Sequence, residues 1–221
     1  MRSLVILAAA ILLLPAASPA QSLMRLYRMA YSISGSYSNG SNDTELKFAT
    51  GTSKNEYRHE TVRLSMRNAY FLSRNAALGL ELSWEQGRGE SRPEPNPTNY
   101  REIVFDRTLY AGPLFRWYQP VTFRWFLYPE VSVGYLHYLG EYEESSSMTS
   151  TLPATTSARG VGLRAGAGIG YFLSRNVVVD LSIRYSHGWV DGRYQIPGEA
   201  DQDIEISGGE IGGLFGFQFL F

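Results

Sequence analysis

The chain has 221 residues, 44% of them hydrophobic, and its 20 basic and 21 acidic side chains nearly cancel. So small a net charge leaves no electrostatic footprint for nucleic acid, and zero cysteines rule out a disulfide scaffold, a thiolate metal site and a lipidated cysteine. Fifteen tyrosines, eleven phenylalanines and 22 glycines, set in repeated two-residue alternation, point to an all-β chain.

The N-terminus carries Arg2, an apolar run from Leu4 to Leu14, Pro15 and the small residues AASPA, the order of a secretory signal peptide. Cleavage after Ala20, with Ser18 and Ala20 as the small residues, would leave residues 21–221 as one domain. About 11 apolar residues is too short for a helical span, and no later run reaches the required ~20, so a helical membrane protein is excluded.

From Met29 to Tyr37 the odd positions Met29, Tyr31, Ile33 and Tyr37 are apolar, opposed by Ala30, Ser32, Ser34 and Ser36. This is a strand with one oily face and one small, polar face. Next, Val62, Leu64, Met66, Tyr70 and Leu72 oppose Arg63, Ser65 and Arg67. A third set, Leu78, Leu80, Leu82 and Trp84, opposes Gly79, Glu81, Ser83 and Glu85. The fourth and fifth segments place Leu109, Phe115 and Trp117, then Trp125, Leu127, Val131 and Val133, against Gly112, Arg116, Glu130, Ser132 and Gly134. The sixth, VGLRAGAGIGY, sets Val161 to Tyr171 against Arg164 and a row of glycines, and the seventh sets Val177 to Tyr185 against Asp180, Ser182 and Arg184. The eighth ends in Phe215, Phe217, Phe219 and Phe221 opposite Glu210, Gly212, Gly216 and Gln218.

Strands of a soluble sandwich average about five or six residues. These approach the roughly 9 to 11 that cross a bilayer at a tilt, and the small face bears charges, as a narrow lumen would. Lipid therefore belongs outside and the charges inside. Three connections are short: two copies of SRN and Gln119–Thr122. Four are long and polar: 39–60, 86–100, 141–158 and 189–204. The alternation predicts an eight-stranded antiparallel up-and-down transmembrane β-barrel with short periplasmic turns and long extracellular loops. The hexapeptide YFLSRN occurs at 70–75 and at 171–176. It reads as interfacial aromatics followed by turn residues, so Trp117, Trp125, Tyr70 and Tyr171 would form a periplasmic girdle and Trp84 and Trp189 an outer one. Thr44–Thr50 alternates too, but reads as part of an extracellular hairpin.

On these residues the chain resembles the small eight-stranded outer-membrane barrels, the group containing OmpX and the membrane domain of OmpA. The terminal LFGFQFLF is similar to the signal read by the barrel-assembly machinery in such proteins: Gly216, Phe219 and Phe221 match, and Leu214 stands where a polar residue is common. The resemblance implies an outer-membrane location, contact with outer-membrane lipid and a monomer, with any extracellular ligand or surface met through the loops.

If the first SRN hairpin is centred on Arg74, residues whose numbers sum to 148 face each other, pairing Arg67 with Glu81 and Arg63 with Glu85. With Arg116, Glu130, Arg164, Asp180, Arg184 and Glu210 they make an inward charge network, and the glycines of the sixth strand would leave space for its arginines. A structural plug is the favoured reading, because eight strands enclose little more than their own side chains. The alternatives are a narrow conduit for ions or small apolar molecules and a lipid A-modifying outer-membrane enzyme. Lipid A deacylases of this membrane pair a histidine with a serine two positions later. Trp189 follows His187 and Leu139 follows His137 at that spacing, and His59 reads as a loop residue with no metal partner near it in sequence. The expected protein is non-enzymatic, structural or surface-interacting, and without a cofactor.

Overall fold

The computed structural model describes residues 27–48, 51–94, 101–145, 154–195 and 201–221. Nearly all of them are strand: β1 (Met29–Phe48), β2 (Gly51–Phe71), β3 (Ala76–Glu94), β4 (Arg101–Trp117), the two-residue β5 (Gln119–Pro120), β6 (Trp125–Ser145), β7 (Ala154–Phe172), β8 (Val177–Gln195) and β9 (Gln202–Leu220). Neighbours in sequence pair antiparallel, β4 joins β6, and β1 joins β9, so the sheet closes on itself. Because β5 continues β4 against the same partner, the ring has eight staves.

The parity of the sequence is the parity of the wall. Leu64, Met66, Leu80, Leu82, Val131 and Leu181 stand exposed on the outer face, while Ser34, Ser65, Ser83, Ser132 and Ser182 are buried within. In a hydrocarbon solvent this inversion is the stable one, since lipid competes for the oily face and closure pairs the backbone groups that lipid cannot solvate.

The four long polar segments are not loops for most of their length. β1 and β2 stay in register from Met29↔Tyr70 to Phe48↔Gly51, through the whole of 39–60. Likewise β3 runs to Glu94, β6 to Ser145 and β8 to Gln195. Staves of 17 to 21 residues exceed the ~9–11 needed to cross the membrane, so the hairpins rise beyond it. Outside hydrocarbon the ladder no longer needs an oily face; alternation fades while pairing continues. His59 therefore lies in β2, opposite Gly89. Residues 49–50, 95–100, 146–153 and 196–200, and the N-terminal 1–26 with the expected signal peptide, lie outside the described residues.

The three short turns share one chemistry. In each, a hydroxyl three residues before the next strand accepts backbone N–H bonds: Ser73 Oγ from Ala76 at 3.1 Å, Thr122 Oγ1 from Arg124 at 3.2 Å and Trp125 at 3.1 Å, and Ser174 Oγ from Asn176 at 3.4 Å. The third turn lies at Val121–Arg124, later than the Gln119–Thr122 expected, because Gln119 and Pro120 still pair with β6. The SRN asparagines do a second job. Asn75 Nδ2 donates to the Tyr118 carbonyl at 2.7 Å and Asn176 Nδ2 to the Leu220 carbonyl at 2.6 Å, while each asparagine carbonyl accepts that same residue's N–H. The repeated hexapeptide thus ties each of two hairpins to the end of the next stave.

Candidate functional site: the filled lumen

The lumen is stacked in layers. At the periplasmic end Tyr27, Phe71, Tyr118, Phe126, Tyr128, Val178 and Leu220 form an apolar cluster, with Phe172 against it. Ring centroids lie 5.1 Å apart for Phe71–Tyr118, 5.4 Å for Tyr118–Phe126 and 5.5 Å for Phe126–Phe172. Phe126 and Tyr128 lie over glycines of the neighbouring stave, being paired with Gly170 and Gly168. A Cβ on Gly170 would collide with the Phe126 ring, and one on Gly168 with the Tyr128 ring. The glycines of the sixth long strand therefore chiefly make room for these adjacent aromatics, a correction to the expectation that they make room for arginines across the lumen.

Above this cork lies the charge cluster. Register places Arg67 opposite Glu81, Arg63 opposite Glu85 and Arg116 opposite Glu130. Glu130 accepts from Arg116 at 2.6 and 3.1 Å and also from Arg184; Glu81 accepts from Arg184 and, at 3.1 Å, from Arg164. Arg67 stands 3.7 Å from Glu81 and 3.8 Å from Glu130 without a direct hydrogen bond to either. Glu81 is 0% exposed, and Arg67, Arg116, Glu130, Arg164, Asp180 and Arg184 are all buried. Asp180 takes its hydrogen bond from Gln218 at 2.6 Å, and no arginine among the described residues reaches it within ion-pair distance. Four guanidinium groups thus share two close carboxylates, and aromatic faces supply part of the remaining negative potential. The Arg164 guanidinium carbon lies 3.8 Å from the Tyr110 ring centroid, and that of Arg116 lies 4.4 Å from the Tyr128 centroid.

The ten inward charges therefore divide. Arg63 bonds Glu85 at 2.6 Å and also pairs with Glu210, whose side chain is 47% exposed, and this trio forms a separate, wetter layer on the extracellular side. On the lipid face Tyr70, Trp84, Trp125 and Trp189 are exposed, and Trp117 and Tyr171 half-buried. Trp125 packs on Tyr171 at 4.6 Å.

Sequence reasoning missed two things. The first is the inward aromatics Tyr110, Tyr118, Phe126 and Tyr128, whose parity matches Arg116 and Glu130 and could have shown their direction. The second is a partner for His187. Ser207, on the adjacent β9, places Oγ 3.2 Å from His187 Nε2, and Tyr185 OH lies 3.1 Å from Nδ1. A serine beside an imidazole is the nucleophile and base of a candidate triad. Here the orienting place on Nδ1 holds a phenol, where a hydrolase triad has a carboxylate. Among the described residues no group of three metal-ligating side chains is present.

A closed ring of eight antiparallel staves, oily outside and filled with salt bridges inside, is the architecture of a small outer-membrane barrel. The outer membrane protein beta-barrel domain family matches residues 6–219, and the chain belongs to that family, which places it in an outer membrane. Among solved structures, the outer membrane protein OprG from Pseudomonas aeruginosa is similar over 88% of this chain and 97% of its own, at 12% identity and a TM-score of 0.53. A major outer membrane protein from Thermus thermophilus matches over 87% and 99% at 11% identity and a TM-score of 0.49. Ail, the attachment invasion locus protein of Yersinia pestis, matches over 87% and 98% at 20% identity and a TM-score of 0.37. No curated protein matches the sequence. At these identities the likeness extends to the fold alone.

Proposed function

We propose that the protein is a non-enzymatic outer-membrane barrel whose lumen is shut to through passage and whose work is done by its rigid wall and its outer hairpins. The observation that carries this reading is the succession of two sealed layers, the aromatic cork and the Arg67–Glu81–Arg116–Glu130–Arg164–Arg184 cluster, every member of which is buried. The chain would be exported with residues 1–20 removed, inserted by the barrel-assembly machinery through its C-terminal aromatic strand, and held as a monomer in lipid, with no cofactor. Binding, where it occurs, would fall to the extended hairpins, since exposed segments on a rigid scaffold are where recognition usually resides. Liposomes carrying the folded protein are expected not to swell in small sugars or amino acids, whereas swelling above protein-free vesicles would show an open lumen.

The Ser207–His187 pair motivates a direct check of the non-enzymatic reading. Lipid A from membranes holding the native chain and from membranes holding His187→Ala should give the same acylation pattern by mass spectrometry. A modification seen only with the native histidine would make the protein a lipid-modifying enzyme.

A further inference from the structure

The two ends of the barrel handle charge differently. In the outer part of β2–β3, register sets Lys54 opposite Glu94, Glu56 opposite Arg92, Arg58 opposite Glu90 and Glu60 opposite Arg88, so each charge has an opposite neighbour across the ladder. The periplasmic end has no such balance. The stretches 27–42, 68–80, 117–129, 171–179 and 211–221, which begin or end there, hold no Asp or Glu. Yet each of the four junctions at this end displays an exposed arginine: Arg28 where β1 meets β9, Arg74 between β2 and β3, Arg124 between β5 and β6, and Arg175 between β7 and β8. Glu81, Glu130 and Asp180, the nearest acidic side chains along these strands, are buried beyond the aromatic cork. The Phe221 carboxylate is the one acidic group at this end among the described residues, and it already accepts the Arg28 and Met29 N–H groups at 2.6 and 3.0 Å.

Each arginine has an oily companion. Leu72 precedes Arg74 by two residues, Leu173 precedes Arg175 by two, Phe123 precedes Arg124 directly, and Phe221 meets Arg28 across the β1–β9 junction. All four companions prolong the lipid-facing rows, two residues beyond Tyr70, Tyr171 and Phe219 and two before Trp125. Leu72 is 61% exposed, Leu173 58%, Phe123 64% and Phe221 62%. At ~3.3 Å per residue, a step of two residues past the girdle reaches the headgroup layer, which is roughly 5–8 Å deep on each side of the hydrocarbon, and the arginines follow immediately. The backbone that carries these pairs is held in place: Asn75 and Asn176 tie two of the turns to the neighbouring stave, Tyr27 OH donates to the Arg175 carbonyl, and Arg124 Nη1 donates to Tyr171 OH at 2.9 Å. Little backbone ordering is therefore left to lose when a ligand binds.

We infer that this collar of four arginines is a binding surface for the phosphate headgroups of anionic glycerophospholipids in the periplasmic leaflet. A guanidinium meets a phosphodiester through two parallel hydrogen bonds, and its stem lies along an apolar neighbour while the charged head stays at the water boundary. The adjacent Leu or Phe decides between a lipid and a free anion. Inorganic phosphate or a soluble polyanion would satisfy the arginines but leave four large apolar side chains in water, whereas a phospholipid covers both at once. Anionic headgroups are favoured over zwitterionic ones, because no carboxylate side chain stands at this end to receive a headgroup amine. The inference rests on the outer-membrane placement of the family and holds whether or not the lumen conducts.

Trp125 reports on the collar directly, because it packs on Tyr171, whose hydroxyl accepts from Arg124. In vesicles, a chain carrying Trp84→Phe, Trp117→Phe and Trp189→Phe leaves Trp125 as the sole tryptophan. Its fluorescence should be quenched more by brominated phosphatidylglycerol than by brominated phosphatidylcholine at equal mole fraction. The relative association constant should favour the anionic lipid at least about threefold, since one arginine near an anionic surface is worth roughly fivefold. Adding Arg28→Gln, Arg74→Gln, Arg124→Gln and Arg175→Gln together should bring the ratio to one, while the heat-modifiable gel shift, which reads folding, stays as it was. A chain with Trp84→Phe, Trp117→Phe and Trp125→Phe keeps only Trp189 of the outer girdle and should show no preference. Equal quenching by the two lipids with all four arginines in place would overturn the collar, as would a preference that survives their replacement or appears equally at Trp189. Loss of the preference on adding millimolar inorganic phosphate would make the arginines a free-anion site and overturn the lipid assignment.

Discussion

Replacing Glu130 with alanine is expected to lower the unfolding free energy of the barrel by about 3–5 kcal/mol, the usual cost of removing one partner from a buried charge network. Glu130 takes two hydrogen bonds from Arg116 and one from Arg184, and it is one of only two carboxylates near Arg67 among the described residues. Its loss leaves buried Arg116 without its carboxylate partner, and Arg67, Arg164 and Arg184 sharing Glu81 alone. Urea unfolding in vesicles, followed by the heat-modifiable gel shift, measures the effect. Glu130→Gln should be milder, since the amide oxygen still accepts from Arg116 while the charge is gone. Equal midpoints for Glu130→Ala and the native chain would mean the cluster is solvated and the lumen wet.

Gly170→Val is expected to cost about 1–3 kcal/mol, the range for overpacking a filled interior. The inserted side chain has nowhere to go: its Cβ would fall against the Phe126 ring, and that ring is held by Tyr118, Tyr128 and Phe172. A cavity-making partner substitution should absorb the clash. Phe126→Ala destabilises on its own, but the double variant should be more stable than the sum of the two singles predicts, by about 0.5–3 kcal/mol as for other contacting pairs. Strict additivity would place the phenylalanine ring elsewhere.

How much of this could be read from residues alone varied with the side of the wall. Lipid selects a long oily row, so Leu64, Met66, Leu80 and Leu82 announce their face. The first hairpin was legible to the single residue, since centring it on Arg74 gives the observed Arg67↔Glu81 and Arg63↔Glu85 pairs. The interior was legible only where it is charged. In the segment WFLYPE both faces are apolar, one turned to lipid and one to the cork, so alternation disappears and Phe126 and Tyr128 cannot be sorted by hydrophobicity. Strand length was underestimated for a related reason. Above the membrane the outer face has no oil to bury, and residues such as Asn55 or Arg92 pair as well as any. Contacts between staves far apart in sequence, such as Arg164 with Glu81, leave no local trace.

The claim at the centre is that cork and charge cluster close the lumen, and single-channel recording from the refolded mature chain in planar bilayers tests it most directly, with the gel shift as proof of folding. Folded barrels should stay silent, with no unitary current above the bare bilayer. Reproducible openings whose size or selectivity changes in Glu81→Gln would show ions moving through the arginine and glutamate layer, and would make that layer a gate.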